Sequence, residues 1–218
     1  MITLYGHPYS RAHRVMWMLK ELDLPFEHVP TDFMNGATHE VEFLKLNPNG
    51  RVPVLVDDDV VLFESLAINL YLSRRYPSAL SAQTIREEGE TMQWSIWCIT
   101  EIEKPLIVAA CNRFIFPEAD RDEAECQQLF ERLRRPFSVI DGHLRSLSHL
   151  VGGRFTVADL NVSAVLTLVP LAGIDLSEFP NLREWLAACL ERPAAADWKP
   201  IQFTVRRPPA SRMLVSFI

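Results

Sequence analysis

No cysteine precedes Cys98: the four thiols of this 218-residue chain, Cys98, Cys111, Cys126 and Cys189, all fall in its later part. Their spacing fits neither a zinc site nor a redox pair, which removes a disulfide scaffold and leaves buried small hydrophobes in a reducing compartment as their expected role. Positive charge is not in excess either. With 22 Lys+Arg against 28 Asp+Glu, the net charge is −6 at pH 7, so no global basic field draws the chain to nucleic-acid phosphates or anionic lipid. The richest apolar window, Val157 to Ile174, is interrupted by Asp159, Asn161 and Pro170, whereas a membrane span needs about 20 nearly uncharged residues. The opening Met1-Ile2-Thr3-Leu4-Tyr5 lacks the basic stretch and apolar core of a signal peptide, so a cytoplasmic address is expected. What is present is 48% hydrophobic and 10% aromatic residues, enough to bury a core over two compact domains.

The first part alternates element types. Ile2 to Tyr5 reads as a strand, Ser10 to Leu22 as a helix with Val15, Met18, Leu19 and Leu22 on one stripe, and Phe26 to Thr31 as extended. A short helical stretch from His39 to Leu46 leads into the loop Asn47 to Arg51. Two strands then follow, Val52 to Val56 and Val60 to Leu62, joined by the acidic turn Asp57-Asp58-Asp59. Glu64 to Tyr76 is helical and stops at Pro77. After Ser78 the β pattern ends, and helical windows cover roughly 86–112, 120–150, 156–168 and 178–191, with breaks at Pro117, Gly152-Gly153, Pro170 to Gly173 and Pro193. A mixed β-α-β-α-β-β-α unit over residues 1–80 followed by an all-helical unit over 86–218 predicts two segregated domains.

Three places carry candidate chemistry. Ser10 sits between the first strand and first helix, where a hydroxyl can cap the helix or donate to an anion held at its N-terminus. Val52-Pro53 opens a strand, and a proline there suits an edge, a bulge or a cis peptide. In Phe63-Glu64-Ser65, just before a helix, the carboxylate and hydroxyl can serve the helix terminus. Together with free helix N–H groups they can also match the amino and carboxylate groups of an amino-acid terminus. The turn His7-Pro8-Tyr9-Ser10 occupies the position where thioredoxin-like redox proteins carry Cys-x-x-Cys. Both cysteine positions are filled otherwise, so any thiol there must come from a ligand.

These segments point to a family. Tyr9-Ser10-Arg11, the run Asn47 to Leu55, Phe63-Glu64-Ser65 with Ala67-Ile68, and Arg154 to Asp159 resemble the cytosolic glutathione transferases in order and spacing, over about residues 2–195. The resemblance implies a thioredoxin-like N-terminal domain and an all-helical C-terminal domain, with a glutathione site on the first and a pocket for a hydrophobic electrophile between the two. It also implies a homodimer; no metal is expected, and nucleic acid and membrane are not expected from the charge balance and the apolar windows above. Residue by residue it implies that Ser10, matching serine-type bacterial members, donates to the glutathione sulfur, with Tyr5 and Tyr9 as alternatives. Val52, ahead of Pro53, would pair with the cysteinyl backbone, Glu64 with the γ-glutamyl amino group and Ser65 with its carboxylate. His39 and Arg51 are candidates for the glycyl carboxylate.

Thr156-Val157-Ala158-Asp159 has the form of a capping box heading a buried helix, so Asp159 is expected to serve folding. Trp94, Trp97, Cys98 and Glu101 share a helical stripe expected to be core, part of it lining the electrophile pocket. The basic end from Trp198 to Ile218 is open between a disordered tail and a flap over the cleft. Peroxidase, disulfide reductase, isomerase or dehalogenase activity on the same thiolate site, and a non-catalytic binding role, are the alternatives to conjugation.

Overall fold

The computed structural model describes residues 1–34 and 36–195. Four short strands, β1 (Ile2–Tyr5), β2 (Phe26–Val29), β3 (Val54–Asp57) and β4 (Val60–Phe63), form one sheet in the order β2-β1-β3-β4. The β1–β2 pair is parallel, and its crossover is made by α1 (Ala12–Glu21). The other two pairs are antiparallel. Helices α2 (Val41–Leu46) and α3 (Ser65–Arg75) complete the expected β-α-β-α-β-β-α order. This is the thioredoxin-like arrangement.

Local differences from the sequence reading have physical causes. Pro53 is neither on an edge strand nor in the ladder: β3 is an inner strand, and the proline precedes its first paired residue, Val54, where no N–H is required. The Val52–Pro53 peptide bond is cis. Asp57 belongs to β3 rather than to the turn. It is buried and accepts hydrogen bonds from the hydroxyls of Tyr71 (2.9 Å) and Tyr76 (2.9 Å) on and just after α3. The helix α1 starts at Ala12 rather than Ser10, because Ser10 and Arg11 form a tighter turn in which the His13 and Arg14 N–H groups reach the carbonyls of Ser10 and Arg11.

From residue 85 onward the described chain is helical: α4 (Ile85–Cys98), α5 (Lys104–Ala110), α6 (Glu123–Leu144), α7 (Val157–Leu166), α8 (Leu168–Ala172) and α9 (Pro180–Leu190). Turns of π-helix at Ile99–Glu103 and Cys111–Ile115 interrupt the window read as one helix over 86–112. Pro170 does not break the chain as expected. It sits in the first turn of α8, where its missing N–H has no partner to lose, and Gly173, at φ +68°, ends that helix. All ten residues of α7 are buried, so this helix forms the axis of the second unit.

The capping box is present. The Thr156 hydroxyl accepts from Ala158 N–H, and Asp159 Oδ2 accepts from Thr156 N–H (2.9 Å). Asp159 Oδ1 also accepts from Leu150 N–H (2.9 Å) and Trp185 Nε1–H (3.0 Å), tying the start of α7 to the segment after α6 and to α9. The basic segment 198–218 lies outside the described residues.

Candidate active site

Strand register builds the site. Tyr5 pairs with Val54, and Val54 pairs with Phe63, so three strand ends lie side by side at one end of the sheet. The residues just beyond them are Gly6 to Ser10, Val52-Pro53 and Glu64-Ser65, the three segments that carried candidate chemistry. They emerge from one end of the sheet because each strand has the same four-residue length in register. Gly6 is the crossing point. A Cβ placed there would lie 3.6 Å from Ser10 Oγ and 3.4 Å from Val52 Cβ, and only 2.6 Å from Ala12 Cβ, so the approach of turn, helix and loop requires glycine.

The Ser10 hydroxyl does two things. It accepts from Ala12 N–H at 3.1 Å, the capping role, and donates to the His7 carbonyl at 2.8 Å. The proton is therefore held by a neutral carbonyl. A thiolate is the stronger acceptor, since a bond to an ionised partner is roughly twice as strong as a neutral one. Tyr5 is half-buried with its ring edge-on to Phe43 at 6.4 Å, and Tyr9 is exposed with its ring 4.9 Å from that of His7.

Glu64 is exposed and has φ +73°, ψ +106°, a backbone state that L-residues rarely occupy. Such a conformation costs on the order of 1–3 kcal/mol and concentrates at functional sites. Glu64 makes no side-chain cap bond to α3. Ser65, buried as the first residue of α3, accepts from Arg14 Nη1 at 3.3 Å.

His39 and Arg51 are both exposed, and the 47–51 loop passes close to the first of them: the His39 ring lies 3.2 Å from the Cβ position of Gly50, which has φ +61°. Buried Asn47 shapes this loop by donating to the Arg51 carbonyl (2.6 Å) and accepting from Asn49 N–H (3.0 Å). Sequence reasoning quoted Asn47 but gave it no task.

Two further residues were missed. Arg14 is almost fully buried, and Glu103, from the second unit, pairs with it at 2.6 Å and with Arg11 Nε at 2.7 Å. Burial opposes charge on Glu103, but Arg14 and Arg11 outweigh it and hold the carboxyl down at about 2. Beside them His13 Nδ1 lies 2.8 Å from the Ser10 carbonyl oxygen and Nε2 lies 3.3 Å from that of Ala164.

Burial, helped by the Arg14 charge, pushes the His13 pKa from the usual 6.5 down to about 4. The folded state therefore binds fewer protons than the unfolded one across that window, so the contribution of His13 is complete above about 6.5 and is lost as pH falls through about 4. The stability difference between the parent chain and His13→Gln, from urea unfolding, is accordingly expected to shrink between pH 7 and pH 4. A constant difference would reject the assignment.

All four cysteines are buried, and burial raises each thiol pKa, that of Cys111 to about 12. Among the described residues no group of three or more His, Cys, Asp or Glu could hold a metal ion, and no helix is long and apolar enough to cross a membrane.

Residues 1–74 match the glutathione S-transferase N-terminal domain and residues 102–193 the glutathione S-transferase C-terminal domain. The chain is 33% identical over 204 residues to glutathione S-transferase 3 of Zea mays, covering 88% of this chain and 90% of the relative. It is 30% identical over 201 residues to glutathione S-transferase GstB of Escherichia coli strain K12, covering 89% and 95%. Among solved structures, the glutathione transferase URE2P6 of Phanerochaete chrysosporium in complex with oxidised glutathione superposes with a TM-score of 0.79 at 29% identity, covering 89% of this chain and 93% of that one. The chain belongs to the glutathione S-transferase family.

Proposed function

We propose that the protein is a cytoplasmic glutathione transferase that activates the glutathione thiol through Ser10 and directs it at a hydrophobic electrophile. The observation that carries this reading is the register Tyr5–Val54–Phe63, which gathers a hydroxyl, a backbone edge and a carboxylate–hydroxyl pair at one sheet end. In this reading Val52, before Pro53, pairs with the cysteinyl backbone of glutathione. Glu64 receives the γ-glutamyl amino group, and Ser65, supported by the Arg14 guanidinium, receives its carboxylate. His39 and Arg51 face the glycyl carboxylate. Residues 1–80 hold the glutathione, and residues 86–218 supply the electrophile pocket.

Ser10 donates to the sulfur in place of the His7 carbonyl, at the start of α1 where the helix dipole also favours negative charge. The thiol proton leaves to solvent. The thiolate then forms a C–S bond with the electrophilic carbon, and the leaving group departs with its electron pair. No protein thiol takes part, since every cysteine is buried and held protonated.

A homodimer is part of the proposal. Met92 and Ile96 on α4, and Ile99 at the start of the π-turn that follows it, are exposed at helical spacing, with Ile96 63% exposed, and such an apolar stripe suits a protein partner. Retention on glutathione-agarose, followed by assay with an aryl halide and with a small disulfide, tests the function. Retention with aryl-halide turnover is expected. Lack of retention would favour a non-catalytic role, and turnover of the disulfide alone would replace conjugation by reduction.

A further inference from the structure

The π-turn at Ile99–Glu103 puts a carboxylate where an uninterrupted α-helix would not. At about 100° per residue, Glu103 would lie about 180° around the helix from buried Trp94, and Glu101 would lie within about 20° of it. The structure shows the reverse order of burial: Glu101 is exposed and Glu103 is only 6% exposed. Hydrogen bonds of the i→i+5 type wind the chain less per residue, and over five residues the lag turns Glu103 inward.

What Glu103 meets is the beginning of α1. Its Oε1 accepts from Arg11 Nε and from Arg14 Nη2, while Arg14 Nη1 donates to Ser65 Oγ. Arg11 directly follows Ser10. One carboxylate from the helical unit is thus a single side chain away from both hydroxyls assigned to glutathione. The arrangement is a costly way to gain stability, because buried ion pairs often do no better than apolar replacements. Arg14 Nε, moreover, has no hydrogen-bond partner among the described residues. With His13 held neutral, the cluster keeps one positive charge in excess, adjacent to the place where an anion is to form.

We propose that Glu103 is a positioning residue for thiol activation: it fixes Arg11, and with it the turn that aims the Ser10 hydroxyl at the glutathione sulfur. The helical unit thereby governs the reactivity of a thiol that it does not touch. This inference rests on the Ser10 reading above.

The test is the ultraviolet absorbance of bound glutathione thiolate, followed across pH in Glu103→Gln, Ser10→Ala and the double variant. Glu103→Gln keeps the shape and one acceptor oxygen but leaves two arginines uncompensated, so charge alone would raise the thiolate fraction. The expected result is the opposite, a fall of about three- to tenfold at neutral pH, equivalent to a pKa rise of about half to one. That fall should be absent when the substitution is made on Ser10→Ala, because the effect passes through that hydroxyl. A rise, no change, or an equal fall on both backgrounds overturns the proposal. If Ser10→Ala itself changes nothing, the serine reading fails and this proposal fails with it. A normal Ser10→Ala effect beside a silent Glu103→Gln sinks only the Glu103 assignment. Should Glu103→Gln not fold, Arg11→Met, which keeps the Arg14–Glu103 pair, is read in the same way: a fall on the parent background alone supports the proposal, and any other pattern overturns it.

Discussion

Asp159→Ala is expected to lower the stability of the folded chain by about 4 kcal/mol or more, from four buried donors each costing about 1–3 kcal/mol when left unpartnered. Those donors are Leu150 N–H, Thr156 N–H, the Thr156 hydroxyl and Trp185 Nε1–H, which converge on the two carboxylate oxygens. The side chain is fully buried, so little water can replace it. A loss of this size is a large share of the roughly 5–15 kcal/mol that holds a typical domain together. Urea unfolding at neutral pH measures it. Asp159→Asn, which keeps the shape and one carbonyl oxygen, should lose distinctly less. In both variants the thiol pKa of bound glutathione should match that of the parent chain, because Asp159 caps α7 and makes no contact with the 6–10 turn. A loss under about 1 kcal/mol, or a displaced thiol pKa, would contradict a purely structural role.

The second large effect is chemical. Ser10→Ala should reduce the thiolate fraction of bound glutathione at neutral pH by tenfold or more, moving its pKa back toward the ~8.5 of a free thiol. One pH unit corresponds to about 1.4 kcal/mol, within reach of a single hydrogen bond to a charged partner. The same substitution removes the bond from Ala12 N–H, so a stability loss of about 1 kcal/mol should accompany it. The two consequences are separable, one read by thiolate absorbance and one by denaturant. The pH–rate profile for an aryl halide should rise at correspondingly higher pH. Tyr9→Phe and Tyr5→Phe are the controls: if either moves the thiol pKa and Ser10→Ala does not, the hydroxyl belongs to the tyrosine.

Much of this was legible in the sequence, and the exceptions share a cause. Strands such as Ile2–Tyr5 and Val60–Phe63 announce themselves through short apolar runs between turn residues, and the Thr156–Asp159 box through its spacing. Ser10, Val52-Pro53 and Glu64-Ser65 stood out because each sits at an element boundary, where side chains have few structural tasks. Arg14 and Glu103 did not stand out. A charged residue inside a helix is ordinarily solvated, and only the tertiary meeting of α1 with the π-turn shows that each buries the other. Periodicity pointed to Glu101 because it assumes a uniform helix, whereas Pro105, in the first turn of α5, has no N–H to bond back to the Glu101 carbonyl, and the chain winds through a π-turn there. Pro170 misled for the opposite reason, as a visible breaker placed where a helix tolerates it.

The bond from Asn69 Nδ2 to Asn161 Oδ1, at 2.9 Å and fully buried between α3 and α7, belongs to a seam that also includes Arg14–Glu103 and the bidentate Arg192–Glu21 pair. On α7, Asn161 passes the connection on to Ser95 of α4. Seams of this kind make a two-part protein hard to recombine. A relative's helical part grafted onto residues 1–80 would need an amide opposite Asn69, an acid opposite Arg14 and a guanidinium opposite Glu21, each at the right depth. If the proposed function holds, new electrophile preferences are more readily reached by substitution within the existing helices than by exchanging the helical part whole.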